Sequence, residues 1–146
     1  MRYVISDASH DFVPLEKEIS YISDFIELQK IRFGDTVKIS YNPCEPVPGK
    51  YIAPLILIPF IENAFKFGVN PEADSMISVS ITLNGSELHL GVFNYKVRGL
   101  NNAVTEGGLG IKNARHRLAL LYPNKHQLII DDKETEFKVD LTINLP

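Results

Sequence analysis

The chain has 146 residues, 45% hydrophobic and 23% charged, with a net charge of -3; that length suits one domain, which buries roughly two-thirds of the surface its unfolded form exposes. So small an excess of acid excludes a broad electrostatic affinity for nucleic acid or an anionic membrane, and any anion site has to be local. A lone Cys44 excludes an internal disulfide and cysteine-ligated zinc and fits a reducing, cytoplasmic setting, and the longest apolar run, residues 51–61, is too short to cross a bilayer and carries Pro54 and Pro59.

The chain opens on "RYVI" and a polar "SDASHD" connection, without the basic-then-apolar pattern of a signal peptide, so none is expected. In "PLEKEISYISDFIELQKIRFG", Leu15, Ile19, Ile22, Ile26 and Phe33 recur at helical spacing, Glu16 and Glu18 fill the first turn, and Gly34 follows the end. This predicts an amphipathic helix of about five turns that packs on a sheet or a partner helix and carries no chemistry. "TVKISYN" alternates as a strand, and the proline-rich "PCEPVPGKYIAP" cannot stay regular for long.

A second helix is predicted over "ILIPFIENAFKFGV", residues 56–69. "MISVSITLN" and "ELHLGVFN" then read as two strands joined through "GS" in a hairpin. The polar "YKVRGLNNAVTEGG" has no periodicity and is long for a connection, the kind of loop that carries function. Ile111, Ala114, Leu118 and Leu121 mark a third helix in "GIKNARHRLALLYP", which Pro123 stops, and "HQLIIDD" and "EFKVDLTINLP" close the chain as a strand pair. Hairpins outnumber βαβ units in this order, so the expected fold is α+β: a two-layer α/β sandwich with a mixed, mostly antiparallel sheet and helices on one face.

The second helix poses the first chemical question, because an apolar run has no packing use for Glu62, Asn63 and Lys66. A buried amide without partners costs on the order of 1–3 kcal/mol, so something should satisfy Asn63. Glu62 and Lys66 stand four apart in the favourable order for a helical ion pair, which accounts for both charges without any function. Alternatively, Asn63 and Lys66 share a face that meets a metal-bound phosphate, with the Asn oxygen on Mg²⁺ and the Lys ammonium on the phosphate.

The second feature is "EGGLGIKNARHRL", where Gly107, Gly108 and Gly110 lead into the last helix and Lys112, Asn113 and Arg115 fall in its first turns. Glycines let backbone N–H groups approach an anion, and a helix N-terminus favours one. No GK[ST] follows, so this is not a Walker loop. Asn113 occupies the third glycine position of a dinucleotide fingerprint, so it is not that either. A flexible turn is the plain alternative.

Taken together, "PLILIPFIENAFKFG" and the later "GGLGIKNARHRLALLYP" resemble the LytS/YehU-type sensor histidine kinases, members of the GHKL superfamily with gyrase-type ATPases and anti-sigma-factor kinases as relatives. "RYVI", "VPLEKEISYISDFIELQKIRF" and "LLYPNKHQL" extend the likeness over nearly the whole chain. The resemblance implies a Bergerat-type ATP site in a C-terminal catalytic domain, residues 14–146. Residues 1–13 would connect it to a phosphoacceptor hairpin further upstream.

By that resemblance Asn63 is the N-box ligand of Mg²⁺, Lys66 contacts phosphate, and Phe67 stands where the family often has His. Gly108, Leu109 and Gly110 form the glycine box, residues 95–110 the ATP lid, and Lys112 and Asn113 the phosphate-binding helix start. Asn94 stands where many histidine kinases carry the aspartate that accepts a hydrogen bond from the adenine amino group. Thr135 and Thr142 are the candidates for a further adenine contact, and Pro59 replaces the water-activating glutamate of gyrase-like relatives, which disfavours simple hydrolysis. His10, His89, His116 and His126 all lack the sequence context of a phosphoacceptor.

The expected function is transfer of the ATP γ-phosphate to a histidine on a separate hairpin, in a homodimer, for relay to a response regulator of the LytTR type. The parent would be membrane-anchored with this domain in the cytoplasm, and direct nucleic-acid binding is not expected. The rival readings are a degenerate GHKL domain acting as an interaction module and a stand-alone anti-sigma-factor serine kinase.

Overall fold

A computed structural model describes residues 12–45, 47–69, 75–96 and 109–146. A five-stranded sheet in the order β2-β4-β5-β7-β6 is built from β2 (Val37–Asn42), β4 (Ser75–Asn84), β5 (Glu87–Tyr95), β6 (His126–Asp132) and β7 (Glu136–Asn144). Three helices, α1 (Leu15–Phe33), α2 (Ile58–Phe67) and α3 (Leu109–Leu121), accompany it, and two-residue strands β1 (Val13–Pro14) and β3 (Tyr51–Ile52) pair separately.

Period-two alternation sets which face of the sheet is buried. Ile77, Val79 and Ile81 of β4, Leu88, Leu90 and Val92 of β5, and Val139, Leu141 and Ile143 of β7 form one buried apolar face. The opposite face carries Ser78, Ser80, His89 and Asp140, all at least partly exposed. Each helix buries a stripe: Leu15, Ile19, Ile22 and Ile26 of α1, Phe60, Ile61, Ala64 and Phe65 of α2, and Ile111, Ala114 and Leu118 of α3. Phe65 links α2 to α1, edge-on to Phe25 at 5.6 Å and stacked with Phe33 at 6.5 Å between ring centroids. Only Phe33 of the expected α1 stripe is half-buried rather than buried.

The two-layer α+β architecture therefore matches the expectation, with one refinement. β2 and β4 run parallel, Val37 opposite Ser75, so β2, α2 and β4 make a βαβ unit within an otherwise antiparallel sheet. The long connection through α2 is what makes a parallel neighbour reachable. The "GS" turn closes β4 onto β5 as a two-residue hairpin, with Asn84 opposite Glu87 and Gly85 at φ +63°, a backbone position glycine adopts without steric cost. α2 begins at Ile58, two residues later than its sequence predicts, because Ala53 to Leu57 are held in an irregular turn.

Candidate functional site

The polar residues of α2 do not share one environment. Glu62 and Lys66 are exposed, whereas Asn63 lies among the buried apolar residues with 8% of its surface exposed. The Asn63 Oδ1 atom is buried and has no hydrogen-bond partner. Asn is also a poor residue for a helix interior, so its presence there costs stability twice. An amide oxygen left open in this way suits a hard cation, and Mg²⁺ needs only one or two protein oxygens. The expected Glu62–Lys66 ion pair is not formed among the described residues; the Lys66 ammonium lies 5.2 Å from the Phe67 ring centroid, within cation–π range.

Asn94 falls on the helix-facing side of β5, in step with Leu88, Leu90 and Val92, between Ile77 of β4 and Phe137 of β7. It is 2% exposed, and its Nδ2 donates to the Tyr95 carbonyl at 3.0 Å. Gly68, which ends α2 by donating its N–H to the Ala64 carbonyl, lies directly against it. A Cβ at Gly68 would stand 2.6 Å from the Ala64 oxygen, 2.7 Å from Asn94 Cβ and 2.9 Å from Asn94 Nδ2. The fold thus joins the helix of Asn63 and Lys66 to Asn94 through a contact only glycine permits, a role the sequence analysis left unassigned.

α3 turns Ile111, Ala114 and Leu118 inward, against the sheet side that also receives α2, and leaves Gly110, Lys112 and Asn113 exposed. Open space surrounds Gly110, and no hydrogen bond or ion pair ties Lys112 or Asn113 to the other described residues. Leu109 starts the helix, while Gly107, Gly108 and residues 97–108 of the expected lid lie outside the described residues. Of the two threonines, Thr142 sits on the helix-free face between His89 and Gln127, whereas the Thr135 carbonyl accepts the Lys96 N–H at 2.9 Å, at the Asn94 end of the sheet.

A cluster missed by the sequence analysis holds the entry to α2. Glu18 is fully buried; its Oε2 accepts the Leu55 N–H at 2.6 Å, and Arg117 Nη1 donates to the Leu55 carbonyl at 3.1 Å. Burial pushes the Glu18 carboxyl up to about 7, although the Leu55 N–H and the Arg117 charge pull the other way. Burial likewise lowers Arg117 and raises Tyr122 to about 12, although the Tyr122 hydroxyl accepts the Ala53 N–H at 2.9 Å, which pulls the other way. Leu55 itself has φ +57°, a left-handed conformation that costs a residue bearing a Cβ roughly 1–2 kcal/mol. The signal was available: Glu18 stands three after Leu15 and four before Ile22, in the middle of the apolar stripe.

The described histidines have structural surroundings. His89 pairs with Asp140 at 3.3 Å on the exposed sheet face, His126 Nδ1 lies 2.8 Å from the Tyr122 carbonyl, and His116 is exposed on α3; His10 lies outside the described residues. No cluster of His, Cys, Asp and Glu among the described residues could hold a metal, and no described helix is long and apolar enough to cross a membrane.

This sandwich is the fold of histidine kinase catalytic domains. The nucleotide-free catalytic domain of the histidine kinase ThkA superposes with a TM-score of 0.62 over 91% of this chain and 93% of that one, at 12% identity. Full-length ShkA in complex with AMPPNP gives a TM-score of 0.58 over 92% of this chain and 31% of that one, at 15% identity. In sequence, a family model described as histidine kinase matches residues 1–37. The chain is 29% identical over 148 aligned positions to the sensor protein kinase HptS of Staphylococcus aureus, covering 93% of this chain and 28% of HptS. It therefore spans under a third of the length of that relative.

Proposed function

We propose that this chain is the ATP-binding catalytic domain of a sensor histidine kinase of the LytS type. The observation that carries the reading is Asn63: a buried amide oxygen without a partner, on a helix whose other buried residues are apolar. Its likeness to HptS and to the catalytic domain of ThkA supports the same assignment. In this reading Asn63 Oδ1 would hold Mg²⁺, which when bound would supply positive charge against the phosphates. Lys66 adds a point charge on the phosphates, with Phe67 beneath its ammonium. Asn94, walled by Gly68, lies at the adenine end, with Thr135 closer to it than Thr142.

Gly108, Leu109 and Gly110 supply backbone N–H groups to the phosphates, and Lys112 and Asn113 flank them at the start of α3. The reaction breaks the bond between the γ-phosphorus and its bridging oxygen, releases ADP, and forms a phosphorus–nitrogen bond on a histidine of the phosphoacceptor hairpin. The domain contributes positioning and charge neutralisation, as phosphoryl transfer generally requires. The hairpin belongs to a longer, membrane-anchored homodimeric parent that passes the phosphoryl group to a LytTR-type response regulator. Residues 1–13 are the connector from that hairpin, and residues 14–146 the catalytic domain.

Calorimetric titration tests the site. Mg-ADP binds the wild-type chain, and Asn63→Ala or removal of Mg²⁺ weakens binding by about tenfold or more, the effect expected for a lost metal ligand. No binding at millimolar nucleotide would favour the interaction module and end the kinase reading.

A further inference from the structure

The backbone leading into α2 is held from outside by three side chains. Tyr122, just past α3, accepts the Ala53 N–H; Glu18 of α1 accepts the Leu55 N–H; and Arg117 of α3 donates to the Leu55 carbonyl. Pro54 has no N–H, so every backbone donor from Ala53 to Leu55 ends on a side chain from α1 or the α3 end. α2 begins three residues later with no side-chain cap and with Pro59 in its first turn. Its direction is therefore set by the Ala53–Leu55 turn rather than by capping of its own.

The composition of this clamp is costly for a purely structural device. Glu18 Oε1 and Arg117 Nη2 are buried without partners, and each buried polar atom left unsatisfied carries an uncompensated desolvation cost. Leu55 is kept in the left-handed region without being glycine. Such strain persists only where the surroundings over-determine it, and it concentrates at functional sites.

We propose that Glu18 and Arg117 are positioning residues for the nucleotide site: they grip Leu55 by its N–H and its carbonyl, between α1 and α3, and thereby fix α2, and with it Asn63, relative to the helix that follows the glycine turn. The inference rests on the nucleotide-site reading above. It gives α1 a hydrogen-bonded route to Asn63 through the two peptide units that flank Leu55, so that a shift of α1 against α3 is felt at the start of α2.

Four variants, Glu18→Leu, Glu18→Gln, Arg117→Met and Arg117→Lys, separate positioning from bulk stability. Glu18→Gln keeps an acceptor for the Leu55 N–H and holds Mg-ADP affinity near wild type. Glu18→Leu and Arg117→Met weaken it by about tenfold or more, as loss of an outer-shell partner does, at a temperature where thermal melts show both folded. Arg117→Lys, which keeps a donor, falls between. Without nucleotide, amide exchange across residues 58–65 speeds by about tenfold in the Leu and Met variants, while β5 and β7 stay protected.

Unchanged affinity in folded Glu18→Leu and Arg117→Met overturns the proposal, as does exchange that rises equally in α2 and the central sheet. If Glu18→Leu does not fold, Arg117→Met against Arg117→Lys decides by the same criteria. A wild-type chain that binds no Mg-ADP refutes the nucleotide reading instead, and the exchange pattern alone then judges the clamp.

Discussion

At the scale of single residues, Asn63 sets stability against function. Its buried oxygen has no partner and its side chain is a poor helix former, so Asn63→Ala should leave the nucleotide-free chain as stable or stabilise it by about 0.5–1 kcal/mol. Mg-ADP should raise the melting temperature of the wild type, and the same substitution should erase that rise. A loss of more than about 1 kcal/mol in urea unfolding would mean that Asn63 is structural. Gly68 makes the opposite prediction. Gly68→Ala forces a Cβ to 2.6 Å from the Ala64 carbonyl and 2.7 Å from Asn94 Cβ, so it should cost about 1–3 kcal/mol by overpacking and weaken adenosine binding with it. Unfolding free energies within 0.5 kcal/mol of wild type, the range of ordinary surface changes, would contradict that contact. Asn63 was legible in the sequence because polarity inside an apolar helix needs a reason; Gly68 was not, because its need is set by Asn94, twenty-six positions away.

At the scale of elements, α1 shows how a sufficient local explanation can hide a tertiary one. Glu18 in a first turn is accounted for by the helix dipole, and the apolar stripe around it drew no further question. The fold buries it completely and raises its carboxyl from 4.5 to about 7, chiefly by desolvation. The folded chain thus holds this proton more tightly than the unfolded one, so the stabilisation is fully present below about pH 4.5 and is lost as pH rises through 7. By that linkage, wild type should lose up to about 3 kcal/mol relative to Glu18→Gln between pH 4.5 and 8. Urea titrations of both chains across that range check it, and parallel profiles would refute the buried, proton-linked Glu18. The helices and hairpins were otherwise readable from period and turn residues. The parallel β2–β4 pairing and the β1–β3 pair were not, since strand partners are chosen across the chain and short strands leave no periodic signal.

At the scale of the whole molecule, one α+β layer pair gathers what the sequence scatters. Asn63 and Lys66 come from α2, Asn94 from the end of β5 and Gly110, Lys112 and Asn113 from the start of α3; α2 and α3 pack on each other and on the sheet that contains β5. Two of those motifs were legible because each breaks a local rule, a polar residue inside an apolar helix and a glycine run before a helix, whereas Asn94 was reached only through the family resemblance. Their support was not, because Glu18, Arg117 and Tyr122 look like ordinary helix residues until the Ala53–Leu55 turn is built between them. The central claim, that Asn63 carries the metal of a bound nucleotide, is tested most directly with Mn²⁺-ADP as a paramagnetic stand-in for Mg²⁺-ADP. The side-chain amide signals of Asn63 should broaden beyond detection at substoichiometric Mn²⁺, while those of the β6–β7 hairpin remain sharp. Asn63 signals that stay sharp while another group broadens would contradict it.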